Sequence, residues 1–97
     1  MPERTATIAS RVGLHARPAS IFAEAVSQLG LEVTIASEGA NSDEALDATS
    51  ILSLMSLGAS YGDVVVLRAD GPGSDQALNH LVRLLETDLD AEAQDQP

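Results

Sequence analysis

The chain is predicted to fold as one α+β domain, with three helices on one face of a four-stranded antiparallel sheet. Three observations lead there. Hydrophobic periodicity switches between the two-residue repeat of strands and the 3.6-residue repeat of helices, in the order strand, helix, strand, strand, helix, strand, helix. Glycines and prolines separate these segments by short connections. The 97 residues include no cysteine, so a single modest core must hold without disulfides or thiolate metal sites.

The first element is Thr5 to Ala9, a half-buried strand with Ala6 and Ile8 on one face. Ser10 to Leu14 is a loop. A helix then runs from Ala16 to Leu29, with Ala19, Phe22, Ala23, Val26 and Leu29 inward and Arg17, Ser20, Glu24 and Ser27 on a polar stripe. Gly30 stops it. Leu31 to Ile35 is a strand with Leu31, Val33 and Ile35 on one face. Ser37 to Asp43 is a polar hairpin loop, and Glu44 to Ala48 is a third strand carried by Leu46.

Ser50 caps a short apolar helix, Ile51 to Leu57, which Gly58 ends. Ser60-Tyr61-Gly62 turns the chain into Val64 to Leu67, an apolar strand covered on part of both faces. Gly71-Pro72-Gly73 breaks the chain, and Ser74 caps a last helix with Leu78, Leu81, Val82 and Leu85 inward. The domain is expected to span residues 1–89. Residues 90–97 are acidic and polar and are expected to be a disordered tail.

Fifteen acidic residues face five basic ones, all arginine, for a net charge of −10. That balance argues against nucleic-acid binding, which needs a basic face. No apolar stretch approaches membrane-spanning length, and Met1-Pro2-Glu3-Arg4 does not open a signal peptide, so a cytoplasmic location is expected. The chain is also expected to be a monomer.

The segment Gly13-Leu14-His15-Ala16-Arg17-Pro18-Ala19-Ser20 carries the chemistry. His15 precedes a helix start, where the first N–H groups lack partners and the macrodipole is positive. Pro18 has a fixed φ that suits a first turn and no N–H to lose. Ala16 is too small to block the imidazole, and Arg17 offers a planar fork for phosphate oxygens. The positive helix end disfavours imidazolium and so keeps a nucleophilic ring nitrogen. From the residues alone, His15 reads equally as a phosphoryl acceptor or as a solvated loop histidine. Ser50 reads as a cap. His80 and Tyr61 read as a solvated helix residue and a turn residue. Ile51, Leu52 and Met55 read first as core, although so short a helix cannot turn all three inward. No metal-ligand cluster or cofactor motif is visible.

Gly13-Leu14-His15-Ala16-Arg17-Pro18-Ala19 resembles the active-site signature of the histidine-containing phosphocarrier (HPr) family of the bacterial phosphoenolpyruvate-dependent sugar phosphotransferase system. Ser50-Ile51-Leu52-Ser53-Leu54-Met55-Ser56-Leu57-Gly58 is similar to that family's second signature, around a regulatory serine. The resemblance covers residues 4–88 and implies an open-faced β-sandwich of βαββαβα topology. It implies a phosphocarrier rather than an enzyme, serving sugar transport. Enzyme I would phosphorylate Nδ1 of His15, and the phosphohistidine would pass its group to enzyme IIA. Arg17 and the backbone of Ala16 and Arg17 would hold the phosphate. Ala16, Ser20, Glu24, Ile51, Leu52 and Met55 would form the partner surface, one that meets acidic partners through basic residues. Ser50 would be the target of a serine kinase and phosphatase, although Thr49 stands where a basic residue is common and Asp47 adds negative charge. The stretch between Ile35 and Ser50 is several residues longer than usual in the family.

Three other readings stay open on sequence. The same fold serves in a nitrogen-related or regulatory phosphorelay. The element order without its last helix fits an acyl-phosphatase-like enzyme using Arg17, although no water-positioning asparagine lies near it. It also fits a ligand-binding regulatory module.

Overall fold

The computed structural model describes residues 2–9, 13–14, 16–39 and 44–87. Its elements are β1 (Glu3–Thr7), α1 (Ala16–Leu29), β2 (Glu32–Ser37), β3 (Leu46–Asp47), α2 (Ile51–Ser56), β4 (Val64–Asp70) and α3 (Ser74–Leu85). The sheet order is β1-β4-β2-β3, and every neighbouring pair is antiparallel. Since β1 and β2 both run against β4, they are parallel to each other. They therefore need a crossover, and α1 supplies it. Likewise β3 and β4 both run against β2, and α2 makes that crossing. Two interleaved split β-α-β units follow, with α3 returning across β1 and β4.

The crossovers cover one sheet face. Ala6, Val33, Ile35, Val65, Leu67 and Ala69 pack there against Ala19, Phe22, Ala23 and Val26 of α1, Leu54 of α2 and Leu78, Leu81 and Leu85 of α3. Phe22 is fully buried, and truncating a buried phenylalanine to alanine costs about 3–5 kcal/mol. The opposite face is open. There Glu3 pairs with Arg68, Arg68 with Thr34 and Thr34 with Asp47, a polar row across all four strands. Arg68 Nε lies 3.2 Å from the Glu3 carboxylate. Val66 is buried on this side beside Ala36, which explains why the Val64–Leu67 run does not alternate.

The fold class, the order of elements and both ends of α1 match the sequence reading. Several boundaries differ for tertiary reasons. β1 starts and ends two residues earlier than expected, because its ladder with β4 runs from Glu3↔Arg68 to Thr7↔Val64. Ile8 still donates to the Asp63 carbonyl at 2.8 Å and accepts from the Gly62 N–H at 2.9 Å, but beyond it the neighbouring segment has turned away. β3 shrinks to two residues. After Ala48 donates to the Val33 carbonyl, the Asp47 carboxylate accepts both the N–H (2.9 Å) and the hydroxyl (2.7 Å) of Thr49 and turns the chain off the sheet.

β4 is longer than the apolar run and ends at Asp70, since Arg68 and Ala69 stay paired with β2. Ser74 does not cap α3. The cap is Gly73, at φ +77°, and Ser74 is the first helical residue, buried against the domain. The backbone entering α3 takes a left-handed conformation, which glycine adopts without the penalty serine would meet. The expected tail from residue 90 onward lies outside the described residues. No helix among those described is long and apolar enough to cross a membrane.

Candidate functional site: the start of α1

The motif lies where the chain leaves β1 and enters α1. Gly13 has φ +75°, and a Cβ placed on it would stand 2.6 Å from the Ala59 carbonyl oxygen. Only glycine fits this approach. Leu14 follows, buried, with its N–H donated to that same carbonyl at 3.0 Å. Within the helix Pro18 and Ala19 are buried and Phe22 sits in the core. The apolar side chains on either side of residues 15–17 thus fix the helix start against the domain.

At that start the first N–H groups have no acceptor within the helix, and Pro18 has none to leave unpaired. No acidic residue lies in the first turn. Arg17 is exposed. A positive helix end beside a solvent-facing guanidinium is an arrangement that favours anions. His15 itself lies outside the described residues, and Ala16 is described through its backbone alone.

α1 packs beside α2. On α1, Ser20 and Glu24 are exposed one turn apart. On α2, Leu52 is 78% exposed and Ile51 and Met55 are each 41% exposed, while Leu54 alone is buried. The reading of Ile51, Leu52 and Met55 as core is therefore corrected. A helix of six residues turns one narrow stripe inward, and Leu54 fills it. Three large apolar side chains of this surface helix are therefore left open to solvent.

Ser50 is the cap of α2, as its sequence position predicts. Its backbone is extended (φ −99°, ψ 116°), and its Oγ accepts the Ser53 N–H at 3.2 Å. The two hydrogen bonds from Thr49 hold the Asp47 carboxyl below its ordinary value, the hydroxyl contributing most and the backbone N–H next, with burial slightly opposing. No group of three or more potential ligands that could hold a metal ion forms among the described residues. His80 and Tyr61 are exposed on α3 and in the turn before β4, as expected.

On sequence, Ser60-Tyr61-Gly62 reads as a plain turn, and nothing marks Ala59 or Asp63 beside it. In the fold this segment holds both ends of the β1–α1 connection: Ala59 receives Leu14, while Gly62 and Asp63 bind Ile8. These partners lie more than forty positions apart, so no local pattern marks the contact.

Fold and helix start together define the open-faced β-sandwich class of small phosphocarrier domains. The family model described as "PTS HPr component phosphorylation site" matches residues 2–87, and the chain belongs to that HPr family. It is 39% identical over 90 residues to the phosphocarrier protein HPr of Streptomyces coelicolor, covering 93% of this chain and 94% of that protein. Against the HPr of Haloferax volcanii the identity is 36% over 85 residues, covering 88% and 93%. The crystal structure of HPr-C-His from Thermoanaerobacter tengcongensis aligns with a TM-score of 0.79 at 36% identity, over 93% of this chain and 97% of that one. A structure of an HPr dimer from the same organism aligns at 0.62 with 37% identity, over 89% and 94%. A member of this family is a phosphocarrier of the phosphotransferase system, not a catalytic enzyme. Membership sets aside the acyl-phosphatase-like reading.

Proposed function

We propose that the chain accepts a phosphoryl group on Nδ1 of His15 from phosphorylated enzyme I and donates it to enzyme IIA of the phosphoenolpyruvate-dependent sugar phosphotransferase system. One observation carries this reading: the segment that holds His15 opens a helix whose first turn lacks acids, is anchored by buried Leu14 and Pro18, and exposes Arg17. In the first step the Nδ1 lone pair attacks phosphorus as the bond to enzyme I breaks. In the second, the new N–P bond breaks as the acceptor nitrogen of enzyme IIA attacks. The phosphoryl group moves intact and no water is consumed.

The protein's share of such a transfer is positioning and charge stabilisation. Arg17 and the backbone N–H groups of Ala16 and Arg17 meet the phosphoryl oxygens. A carrier must also release its cargo, and an open helix end suits this better than a sealed pocket, because it holds the transferring group without over-stabilising the loaded state. Both partners meet the surface of Ala16, Ser20 and Glu24 on α1 and Ile51, Leu52 and Met55 on α2, so that loading and unloading alternate at one place.

Incubation with phosphoenolpyruvate, Mg²⁺ and cognate enzyme I tests the assignment. The expected product is an acid-labile, base-stable phosphoryl group that maps to His15 and is absent from a folded His15→Ala variant. A modification that survives acid, or persists in His15→Ala, overturns it. Passage of the label to a sugar-specific enzyme IIA separates sugar transport from a nitrogen-related relay.

A further inference from the structure

The connection between α2 and β4 carries a hydrogen-bond chain that ends one residue before His15. The Asp63 carboxylate accepts the Ser60 N–H through Oδ2 at 2.9 Å. That N–H belongs to the same peptide unit as the Ala59 carbonyl, and the Ala59 carbonyl accepts the Leu14 N–H at 3.0 Å. In a trans peptide the N–H and C=O groups lie in one plane and point in opposite directions within it. The carboxylate on one side therefore sets the direction of the acceptor on the other. A charged acceptor also polarises the peptide and strengthens its carbonyl as a hydrogen-bond acceptor.

The surrounding geometry leaves this plane little freedom. The Asp63 N–H donates to the Ser60 carbonyl at 2.9 Å, closing a four-residue turn whose third residue, Gly62, has φ +87°. The Asp63 carbonyl receives Ile8 at the other end of the β1–α1 connection. On the motif side, Gly13 runs beside the Ala59 oxygen, where an added Cβ would stand 2.6 Å from it. Ser60 and Asp63 are themselves exposed. The Ser60 N–H has water as an alternative partner, so Asp63 is not needed merely to satisfy a buried donor.

We infer that Asp63 is a positioning residue for phosphoryl transfer, acting on His15 through the Ala59–Ser60 peptide and the Leu14 amide. This rests on the proposal that His15 is the acceptor. Single-turnover transfer from phosphorylated enzyme I to the parent, Asp63→Ala and Asp63→Asn chains is the test, with each variant's fold checked by thermal melting. Asparagine keeps a side-chain oxygen acceptor and alanine does not. In Asp63→Ala the limiting rate should fall on the order of tenfold, the scale of a small misplacement of a reacting group. The enzyme I concentration for half-saturation should stay near the parent's.

Asp63→Asn should recover most of the rate. The Leu14 amide should exchange faster with solvent in Asp63→Ala and not in Asp63→Asn. A folded Asp63→Ala chain with the parent limiting rate overturns the inference, as does a lowered rate with an unchanged Leu14 amide. If Asp63→Ala does not fold, Asp63→Ser, whose hydroxyl is too short to hold the same bond, carries the same comparison. A parent chain that takes no phosphoryl group on His15 overturns the acceptor reading itself, whereas a parent that does, matched by Asp63→Ala, overturns only the role of Asp63.

Discussion

Gly13 occupies the tightest backbone approach in the site. Its positive φ acts together with the 2.6 Å that would separate an added Cβ from the Ala59 oxygen. Gly13→Ala would have to adopt the left-handed region and push back the carbonyl that holds Leu14. The expected cost is about 1–3 kcal/mol of stability, read from denaturant midpoints, together with slower phosphoryl transfer in the folded protein. A substitution at Gly30, also at positive φ but with no atom near its Cβ position, should cost stability and leave transfer alone. Equal transfer by Gly13→Ala and the parent would show that the seat on Ala59 does not govern the site. At this scale the motif is legible because local rules determine it: a proline in a first turn, small residues around a histidine, and an arginine fork. The seat itself is not, since Ala59 and Asp63 reach the motif only through the folded chain.

Short elements depend most on their ends, and α2 has six residues with Leu54 as its single buried anchor. Its cap is correspondingly important. Ser50→Ala should cost about 1 kcal/mol, whereas Ser50→Asp retains a capping oxygen and should melt near the parent. The aspartate also places charge next to exposed Ile51 at the start of this helix, so transfer from enzyme I should weaken in that variant alone. Equal transfer by Ser50→Asp would mean that this face does not dock enzyme I or tolerates charge. The turn just before α2 gives a pH prediction. Asp47 has a lowered folded-state pKa, so its contribution to stability is fully present above the ordinary carboxylate range and is lost as pH falls through the lowered value. Thr49→Val removes the larger of the two causes, and an NMR titration should find the Asp47 pKa moved upward toward the ordinary value. No movement would assign the shift to the backbone N–H instead. The elements also divide by how far they can be read. α1 is legible to both ends because Pro18 and Gly30 punctuate a long periodic run. β3 is not, because two residues become a strand only through pairing with β2. The cap of α3 falls on Gly73 rather than Ser74 because its left-handed entry depends on how Gly71 to Gly73 turn.

Charge acts at the scale of the whole molecule. The net charge is −10, and two of the five arginines are engaged away from the start of α1. Arg4 meets Asp75 at 3.2 Å and donates to Asn79, clamping β1 to α3, and Arg68 meets Glu3 on the open sheet face. Arg17 remains at the helix start, and Glu24 stands exposed on the same helix. The Debye length is about 30 Å at 0.01 M salt and about 8 Å at 0.15 M, against a radius of gyration of 12.2 Å. At low salt nearly every charge is therefore felt by an approaching partner, while near physiological salt only those close to the contact are. Where the partner surface is acidic, long-range repulsion should oppose encounter at low salt and fade on screening, whereas the attraction of Arg17 acts at short range and fades less. Transfer from cognate enzyme I is then expected to fall little, or to rise, between those two salt concentrations, with exposed Leu52 and Met55 carrying the docking. Stopped-flow transfer rates across the range check this, and Leu52→Ser should lower the second-order rate at both ends. A steep loss of rate with added salt would show that attraction by Arg17 outweighs the net charge.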